Sequence, residues 1–275
     1  MRLRALILLP LVSACAPAGP PPVVTITATD FAFGAPDTIV SGLTTFRMVN
    51  HGREPHQAVI FGAPGKTFEE LEAAAAPRPS PGEWWQAFLK IEPTFPGGPG
   101  AVLGGDSSVV TANLKPGNYE IVCFIPSPDG REHVKKGMFR RLVVIAPPSR
   151  TAAAEPKADL TVTLSDCAFE EPPPPTAGPR TIRVENTGPQ LHELTIERLA
   201  PGKTLADWRR WMAGGMKGEP VTVPVGGFAG PDKGKVGWVT LTFTPGNYLF
   251  LCYVPDSRDG KPHFVLGMVK EITVS

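Results

Sequence analysis

The chain contains the same sequence pattern twice, and this repeat constrains its fold more than any other feature. Residues 24–60 align without a gap on residues 160–196, and the aligned positions include an aspartate, an asparagine, a glycine and a histidine in both copies. Further on, "LKPGNYEIVCFIP" aligns on "FTPGNYLFLCYVP", which places Cys123 on Cys252. A repeat of this length predicts two copies of one structural unit.

Each copy has the composition of a β-sheet unit. Short runs rich in β-branched residues, such as "VVTITATDFAF" and "RRLVVI", are separated by Gly, Pro, Asn and Asp, which is typical of strands joined by turns. One segment per copy predicts a short helix, because Thr67 is followed three residues later by Glu70, and Thr204 by Asp207, as in a capping box. We therefore predict an all-β fold of two tandem β-sandwich domains, each with one short helix.

The N-terminal segment has the pattern of an export signal. Arg2 and Arg4 precede an apolar stretch that is too short to span a bilayer, for which about 20 apolar residues are needed. Its end, "VSAC", resembles the bacterial lipobox, which implies that Cys15 becomes the lipidated first residue of the mature protein. The alternative is an ordinary signal peptide cut at another position. The predicted organisation is a signal peptide at 1–14, a lipidated Pro-rich spacer at 15–22, domain 1 at 23–146, a linker at 147–159 and domain 2 at 160–275.

Charge and cysteine content narrow the possible functions. Without Arg2 and Arg4, 25 basic residues stand against 26 acidic ones, so we expect no nucleic-acid partner and attachment to a membrane only through the lipid anchor. If Cys15 carries the lipid, three of the four cysteines remain. An odd number of cysteines leaves at least one free thiol or metal ligand.

A His, a Cys, a second His and a Met recur at matching positions in the two copies. "HVKKGM" in the first copy aligns on "HFVLGM" in the second, after one extra residue in the second loop. Two imidazoles, a thiolate and a weak axial thioether suit a blue-copper electron-transfer centre, since soft sulfur favours Cu(I) and imidazole accepts both oxidation states. The candidate ligands, for one copper per domain, are His56, Cys123, His133 and Met138 in the first copy and His192, Cys252, His263 and Met268 in the second.

The order of these residues resembles that of the cupredoxin family of blue, type 1 copper proteins. In that family one His follows an early strand, and Cys, His and Met lie around the loop after a late strand, where "PGNYEIVC" and "PGNYLFLC" place the Cys here. The H-x4-M spacing is that of plastocyanins. The nine or ten residues between the Cys and the second His depart from plastocyanins and are similar to the type 1 loop of copper nitrite reductases. The resemblance implies a Greek-key sandwich with a type 1 copper centre in each domain.

Other interpretations of the same residues stay open. A sandwich that uses them only for packing and turns would have to account for all four positions twice, and zinc gains little from a thioether. Cys167 aligns with Phe31 and is predicted to be a core residue, whereas His51 aligns with Thr187 and is predicted to be a turn residue. A copper carrier or storage protein without an electron-transfer role, or a copper-free interaction module, would use the same fold.

The histidine count predicts that the chain is not an enzyme. Multicopper oxidases and copper nitrite reductases also repeat cupredoxin domains, but their catalytic copper needs additional histidines. The two candidate sites use four of the five histidines in this chain. Motifs such as H-E-x-x-H and G-x-S-x-G do not occur in the sequence.

We therefore predict an exported, lipid-anchored electron carrier that faces the periplasm or the cell exterior. The resemblance implies that the ring edges of His133 and His263 approach the surface, so redox protein partners are expected at the His133 and His263 faces. The basic residues of "HVKKGMFRR" predict an acidic partner at the first face, and the apolar residues of "HFVLGM" predict a flatter, apolar contact at the second.

Overall fold

The computed structural model describes residues 18–76, 81–147, 153–170 and 173–275. The predicted signal peptide, Cys15 and part of the predicted linker lie outside these residues. None of the helices in the described part of the chain is long and apolar enough to cross a membrane.

Strands dominate both repeat copies, as the alternating apolar runs predict. The strands of the first copy are β1 (Val23–Thr29), β2 (Ala32–Gly34), β3 (Thr38–Val40), β4 (Gly42–Asn50), β5 (Val59–Gly62), β6 (Pro96–Pro99), β7 (Ser107–Leu114), β8 (Gly117–Val122) and β9 (Phe139–Ile145). Those of the second copy are β10 (Leu160–Ser165), β11 (Ala168–Phe169), β12 (Gly178–Asn186), β13 (Leu194–Leu199), β14 (Thr222–Pro231), β15 (Val236–Phe243), β16 (Gly246–Leu251) and β17 (Val269–Val274).

The strands form three sheets that pack into a sandwich in each copy. The largest sheet has the order β11-β10-β12-β15-β7-β4-β1-β2 and draws four strands from each copy. It is covered by β3-β9-β8-β5 in the first copy and by β17-β16-β13-β14-β6 in the second. Alternate residues of the strands point into the space between the sheets, where Phe46, Ile60 and Phe250 are fully buried. The fold class is all-β, as predicted.

Two strand pairings join the repeat copies directly. β7 pairs antiparallel with β15, with Thr111 opposite Trp238, and β6 pairs antiparallel with β14, with Pro99 opposite Phe228. Each strand thus pairs with its own repeat counterpart, which is the arrangement that a local two-fold axis produces. The copies share a continuous sheet, so their relative orientation does not depend on the segment 147–159 alone. The domain boundaries on either side of that segment stay a prediction.

The helices follow the capping signals in the sequence, with one addition. α1 (Phe68–Ala75) and α3 (Leu205–Ala213) begin after Thr67 and Thr204, and both have a complete capping box. The first copy also has α2 (Pro81–Leu89), which the sequence analysis does not predict. α2 is held by tertiary packing, since its Phe88 is fully buried with its ring 4.9 Å from that of Phe61.

Candidate metal centres

A short loop after β4 carries the first histidine of the first copy. The Asn50 side chain is buried at the end of β4 and donates hydrogen bonds to the main-chain carbonyls of Glu54, at 2.9 Å, and Val102, at 3.0 Å. Its carbonyl accepts from the main-chain N–H of Gly52. The equivalent asparagine makes the same three bonds in the second copy. This side chain therefore fixes the loop that presents His56.

The loop after β8 carries the other three candidate ligands and is closed by main-chain hydrogen bonds. Cys123 donates to the carbonyl of Met138 at 3.3 Å, and Met138 donates to the carbonyl of His133 at 3.0 Å. His133 begins a single 3-10 turn, His133–Lys136, which ends at a left-handed Gly137. The loop after β16 in the second copy has the same bonds among Cys252, His263 and Met268. The residues between Cys and Met thus form a compact, repeated unit.

Site 1, defined as His56, Cys123, His133 and Met138, brings its imidazoles and thiol together. The Nδ1 atoms of the two histidines are 3.0 Å apart, and Cys123 Sγ lies 3.9 Å from His56 Nδ1 and 3.3 Å from His133 Nδ1. All four side chains have 0% exposure. The structure therefore converges three predicted ligands on one point, with Met138 buried beside them in the same loop.

Site 2, defined as His192, Cys252, His263 and Met268, repeats this geometry. The Nδ1 atoms of His192 and His263 are 3.1 Å apart, and Cys252 Sγ lies 3.3 Å from His263 Nδ1. The four side chains are fully buried here too. The main-chain N–H of Glu193 donates to Cys252 Sγ at 3.3 Å, which orients the sulfur.

Burial disfavours charge on several of the grouped side chains. Burial raises the pKa of the Cys123 thiol to about 12 and lowers the pKa of His56. Burial, followed by the charge of the neighbouring His263, lowers the pKa of His192 to about 4. Burial therefore disfavours the protonated form of His56 and His192, and a bound cation would replace the thiol proton. Two imidazoles and one thiol in a sealed cluster fit a copper ion.

In site 1, the outer nitrogen (Nε2) of each imidazole, on the side of the ring away from the cluster, contacts a carboxylate that the sequence analysis does not single out. Asp30 Oδ1 lies 2.9 Å from His56 Nε2, and Glu54 Oε2 lies 2.9 Å from His133 Nε2. Burial alone would raise the pKa of each carboxyl. Hydrogen bonds from the Arg53 main chain and from His56 outweigh this effect at Asp30 and lower its pKa. The hydrogen bond from His133 does the same for the pKa of Glu54. The second copy has Asp166 at the position of Asp30, so the repeat offers a sequence signal for this carboxylate. It has Gln190 at the position of Glu54, so the repeat offers none for the second carboxylate.

In site 2, the outer imidazole nitrogens have no such support. Among the described residues, neither His192 Nε2 nor His263 Nε2 has a hydrogen-bond partner. Gln190 stands where the first copy has its glutamate, and its amide donates to Asp256 Oδ2 at 2.9 Å. Asp256 in turn is paired with Arg258 and lies 3.9 Å from His263 Nε2. The two sites therefore share their inner ligands and differ in the groups behind them.

The faces around the second histidines differ from the sequence expectation. His133 and His263 are fully buried, so neither ring edge is exposed to solvent. Glu54 covers the outer nitrogen of His133, and the ring of Phe31 lies 4.9 Å from that of His133. Because Glu54 is 24% exposed, it lies between the imidazole and solvent.

The charge near site 1 is also balanced. The basic cluster, defined as Lys135, Lys136, Arg140 and Arg141, is paired throughout with carboxylates at 2.6 to 3.0 Å. Near site 2, Val265 and Leu266 are 57% and 38% exposed, as the apolar sequence predicts. The basic cluster therefore does not form an unpaired positive surface. Val265 and Leu266 do form an exposed apolar surface near site 2.

A glycine packs against the first histidine of each site. A Cβ atom on Gly52 would lie 2.6 Å from His56 Nε2 and closer still to Asp30 Oδ1, and one on Gly188 would lie 2.6 Å from His192 Nε2. We expect Gly52→Ala to displace His56 and to lower the free energy of unfolding by about 1–3 kcal/mol, as overpacking does. Urea denaturation measures this change.

Gly34→Ala is the matched control, because a Cβ there would meet its nearest atom at an ordinary 3.7 Å. Equal stability of the Gly52 and Gly34 variants would contradict the close packing of Gly52 on His56.

The fold and the two buried His/Cys/His clusters together define a cupredoxin-like architecture. No protein-family model matches the chain, and no curated protein matches its sequence. Solved structures that it matches include an auracyanin from the photosynthetic bacterium Roseiflexus castenholzii, with 16% identity and a TM-score of 0.31 over 46% of this chain and 99% of that chain. A multicopper oxidase matches with 14% identity and a TM-score of 0.27 over 92% and 88% of the two chains. A copper-containing nitrite reductase from Thermus scotoductus matches with 11% identity and a TM-score of 0.25 over 94% and 62%.

The prediction that the chain is not an enzyme is wrong. It rested on the number of histidines, but two of the matched structures, the multicopper oxidase and the nitrite reductase, are enzymes. A histidine count in one chain therefore does not exclude catalysis by this architecture. These likenesses assign no particular reaction to the chain.

Proposed function

We propose that the chain binds copper at sites 1 and 2, one ion in each repeat copy, and transfers electrons between redox partners. The observation that carries this proposal is the recurrence of a sealed cluster in which two imidazole nitrogens and one thiol sulfur lie within 4.8 Å of one another. A "blue" copper protein, auracyanin A from Chloroflexus aurantiacus, is also among the structures that the chain matches. Met138 and Met268, which are buried in the same loops, are the proposed axial ligands.

The surroundings of the proposed ligands suit a centre that changes its oxidation state without moving. Bound copper would supply a one-electron couple between Cu(I) and Cu(II). The loop of His56 is fixed by the Asn50 side chain, and the loop from Cys123 to Met138 is closed by its own main-chain bonds. Complete burial excludes water from the ligands. A preformed, dry site lowers the rearrangement that each electron transfer requires.

The proposed contact for a redox partner is the apolar surface near site 2. Val265 and Leu266 are exposed in the loop between His263 and Met268. Phe264 in the same loop packs edge-on against Trp208, at 5.3 Å between ring centroids, which holds the loop in place. A partner that docks there would reach the ligand loop through apolar contacts, and its binding would depend little on ionic strength.

The test is to load the full chain with Cu(II) and to record its visible spectrum, its metal content and its voltammogram. We expect an intense thiolate-to-copper band, two copper ions per chain and reversible one-electron couples. A chain that binds copper without a reversible couple would instead be a carrier or store, and the absence of the band would overturn the proposal. Oxidase and nitrite reductase assays on the same sample examine the activities of the matched enzymes.

The proposed location is at a membrane, facing the periplasm or the cell exterior, with a lipid anchor on Cys15. Cys15→Ala removes the only residue that could accept this lipid, so we expect the variant to move from the membrane fraction to the soluble fraction of lysed cells. Immunoblotting of the two fractions measures the change. Retention of the variant in the membrane fraction would contradict the anchor.

A further inference from the structure

The outer edge of His263 has a buried nitrogen with no partner. Its Nδ1 faces Cys252 and His192, and its Nε2, on the opposite side of the ring, lies 3.9 Å from Asp256 Oδ2, beyond hydrogen-bond distance. Nε2 has no hydrogen-bond partner among the described residues, although the side chain is fully buried. A buried polar atom without a partner is unfavourable, so this nitrogen indicates a missing ligand.

The Cys167 thiol lies close to His263, and its position differs from the sequence prediction. It does not belong to the core: it lies in the turn between β10 and β11, with φ at 55°, and is partly exposed. The ligand atoms of Cys167, Asp256 and His263 all lie within 4.8 Å of one another. A thiol, a carboxylate and the unpartnered imidazole edge therefore converge outside site 2.

The first copy provides an internal comparison, because it has neither the thiol nor the free nitrogen. Phe31 stands in the place of Cys167 and packs on the ring of His133 at 4.9 Å. His133 Nε2 is already bonded to Glu54 at 2.9 Å. The convergence is thus a property of the second copy and not of the repeat.

The charges around the cluster favour a cation. Asp256 accepts two hydrogen bonds from the Arg258 side chain, one from the Arg258 main chain and one from Gln190, and its carboxylate is nearly buried. The pKa of Asp256 is lowered, chiefly by Arg258, so it is ionised. Asp166 lies 3.8 Å from the Cys167 thiol and adds negative charge. Because the Arg258 side chain is 68% exposed, it can turn into solvent when a cation arrives.

We propose that Cys167, Asp256 and the Nε2 edge of His263 form an outer site, which shares the His263 ring with site 2, for a divalent cation of the Zn²⁺ type. Thiolate, imidazole and carboxylate are the ligands that Zn²⁺ prefers, and three of them leave a fourth position for water. This inference goes beyond the proposed function and stands without copper. With copper in site 2, binding of a second cation at Nε2 would require the His263 ring to release its remaining N–H proton to solvent, so occupancy of the outer site would alter the copper spectrum of site 2 only.

The test removes the thiols of sites 1 and 2 so that copper binding plays no part. The full chain carrying Cys15→Ala, Cys123→Ser and Cys252→Ser keeps Cys167 as its one remaining thiol. We expect this variant to bind one Co²⁺ with a thiolate-to-cobalt absorption band, and Zn²⁺ to displace the Co²⁺. Adding Cys167→Phe, which installs the residue of the first copy, should abolish the band and weaken Zn²⁺ binding at least about tenfold.

Phe31→Cys in the same background is the matched control. It places a thiol at the equivalent position of the first copy, where Glu54 already holds the imidazole nitrogen, so we expect no second band. Circular dichroism checks that each variant is folded. An unchanged cobalt band in the folded Cys167→Phe variant would overturn the proposal, and so would an equal band gained by Phe31→Cys.

Discussion

Cys123→Ser is expected to remove one of the two copper ions from the loaded chain, together with the share of the intense visible band that comes from site 1. Serine preserves the size of the side chain, but its hydroxyl is not the soft anionic ligand that Cu(I) and Cu(II) both need here. Cys252→Ser should have the same effect on site 2, and the double variant should lose the band completely. Metal analysis and absorption spectroscopy on equal amounts of folded protein measure both effects.

These variants are made in a Cys167→Ser background, so that the thiol of the proposed outer site cannot contribute a band; Cys167 lies outside both His/Cys/His clusters. We expect Cys167→Ser by itself to keep the bands of sites 1 and 2. Loss of both coppers in Cys123→Ser alone would show that the sites do not bind independently. A band that survives in the double variant would contradict the assignment of the thiolates altogether.

The repeat made the inner part of each site predictable from the sequence. Residues whose side chains converge in one cluster keep their identity in both copies, while their neighbours change, and this contrast separates His56 from His51. The helix starts were predictable for a different reason, since the capping boxes at Thr67 and Thr204 are local interactions of side chain and main chain.

The features that could not be predicted depend on contacts between distant segments. Pairing of β7 with β15 is set by packing between the copies, and no local signal in either strand encodes its partner. Glu54 supports His133 across 79 residues of sequence, and its counterpart Gln190 serves a different group, so the repeat comparison discards it. The alignment of Cys167 with Phe31 predicts a core residue, whereas the structure places Cys167 in a turn beside His263.

The carboxylates behind site 1 should make its copper different from that of site 2. Asp30 is hydrogen-bonded to His56 Nε2, which fixes the ring and makes it a stronger donor. We expect Asp30→Asn to weaken Cu(II) binding at site 1 by about 10–100-fold, because groups that orient a ligating histidine have effects of this size. Cu(II) carries the larger charge and gains more from the carboxylate than Cu(I), so the potential of site 1 should rise. A competition titration measures the affinity, and a redox titration of the Cys252→Ser background measures the potential of site 1 by itself.

Asp166→Asn, in the Cys123→Ser background, provides the matched control. Asp166 is the repeat counterpart of Asp30, but His192 Nε2 has no hydrogen-bond partner among the described residues, so this carboxylate does not support its histidine. Affinity and potential at site 2 should therefore change little. Glu54→Gln should shift site 1 in the same direction as Asp30→Asn, since Glu54 holds the other imidazole. Equal effects of Asp30→Asn and Asp166→Asn would contradict the inference, because the difference between the sites would then not come from the carboxylates bonded to the histidines.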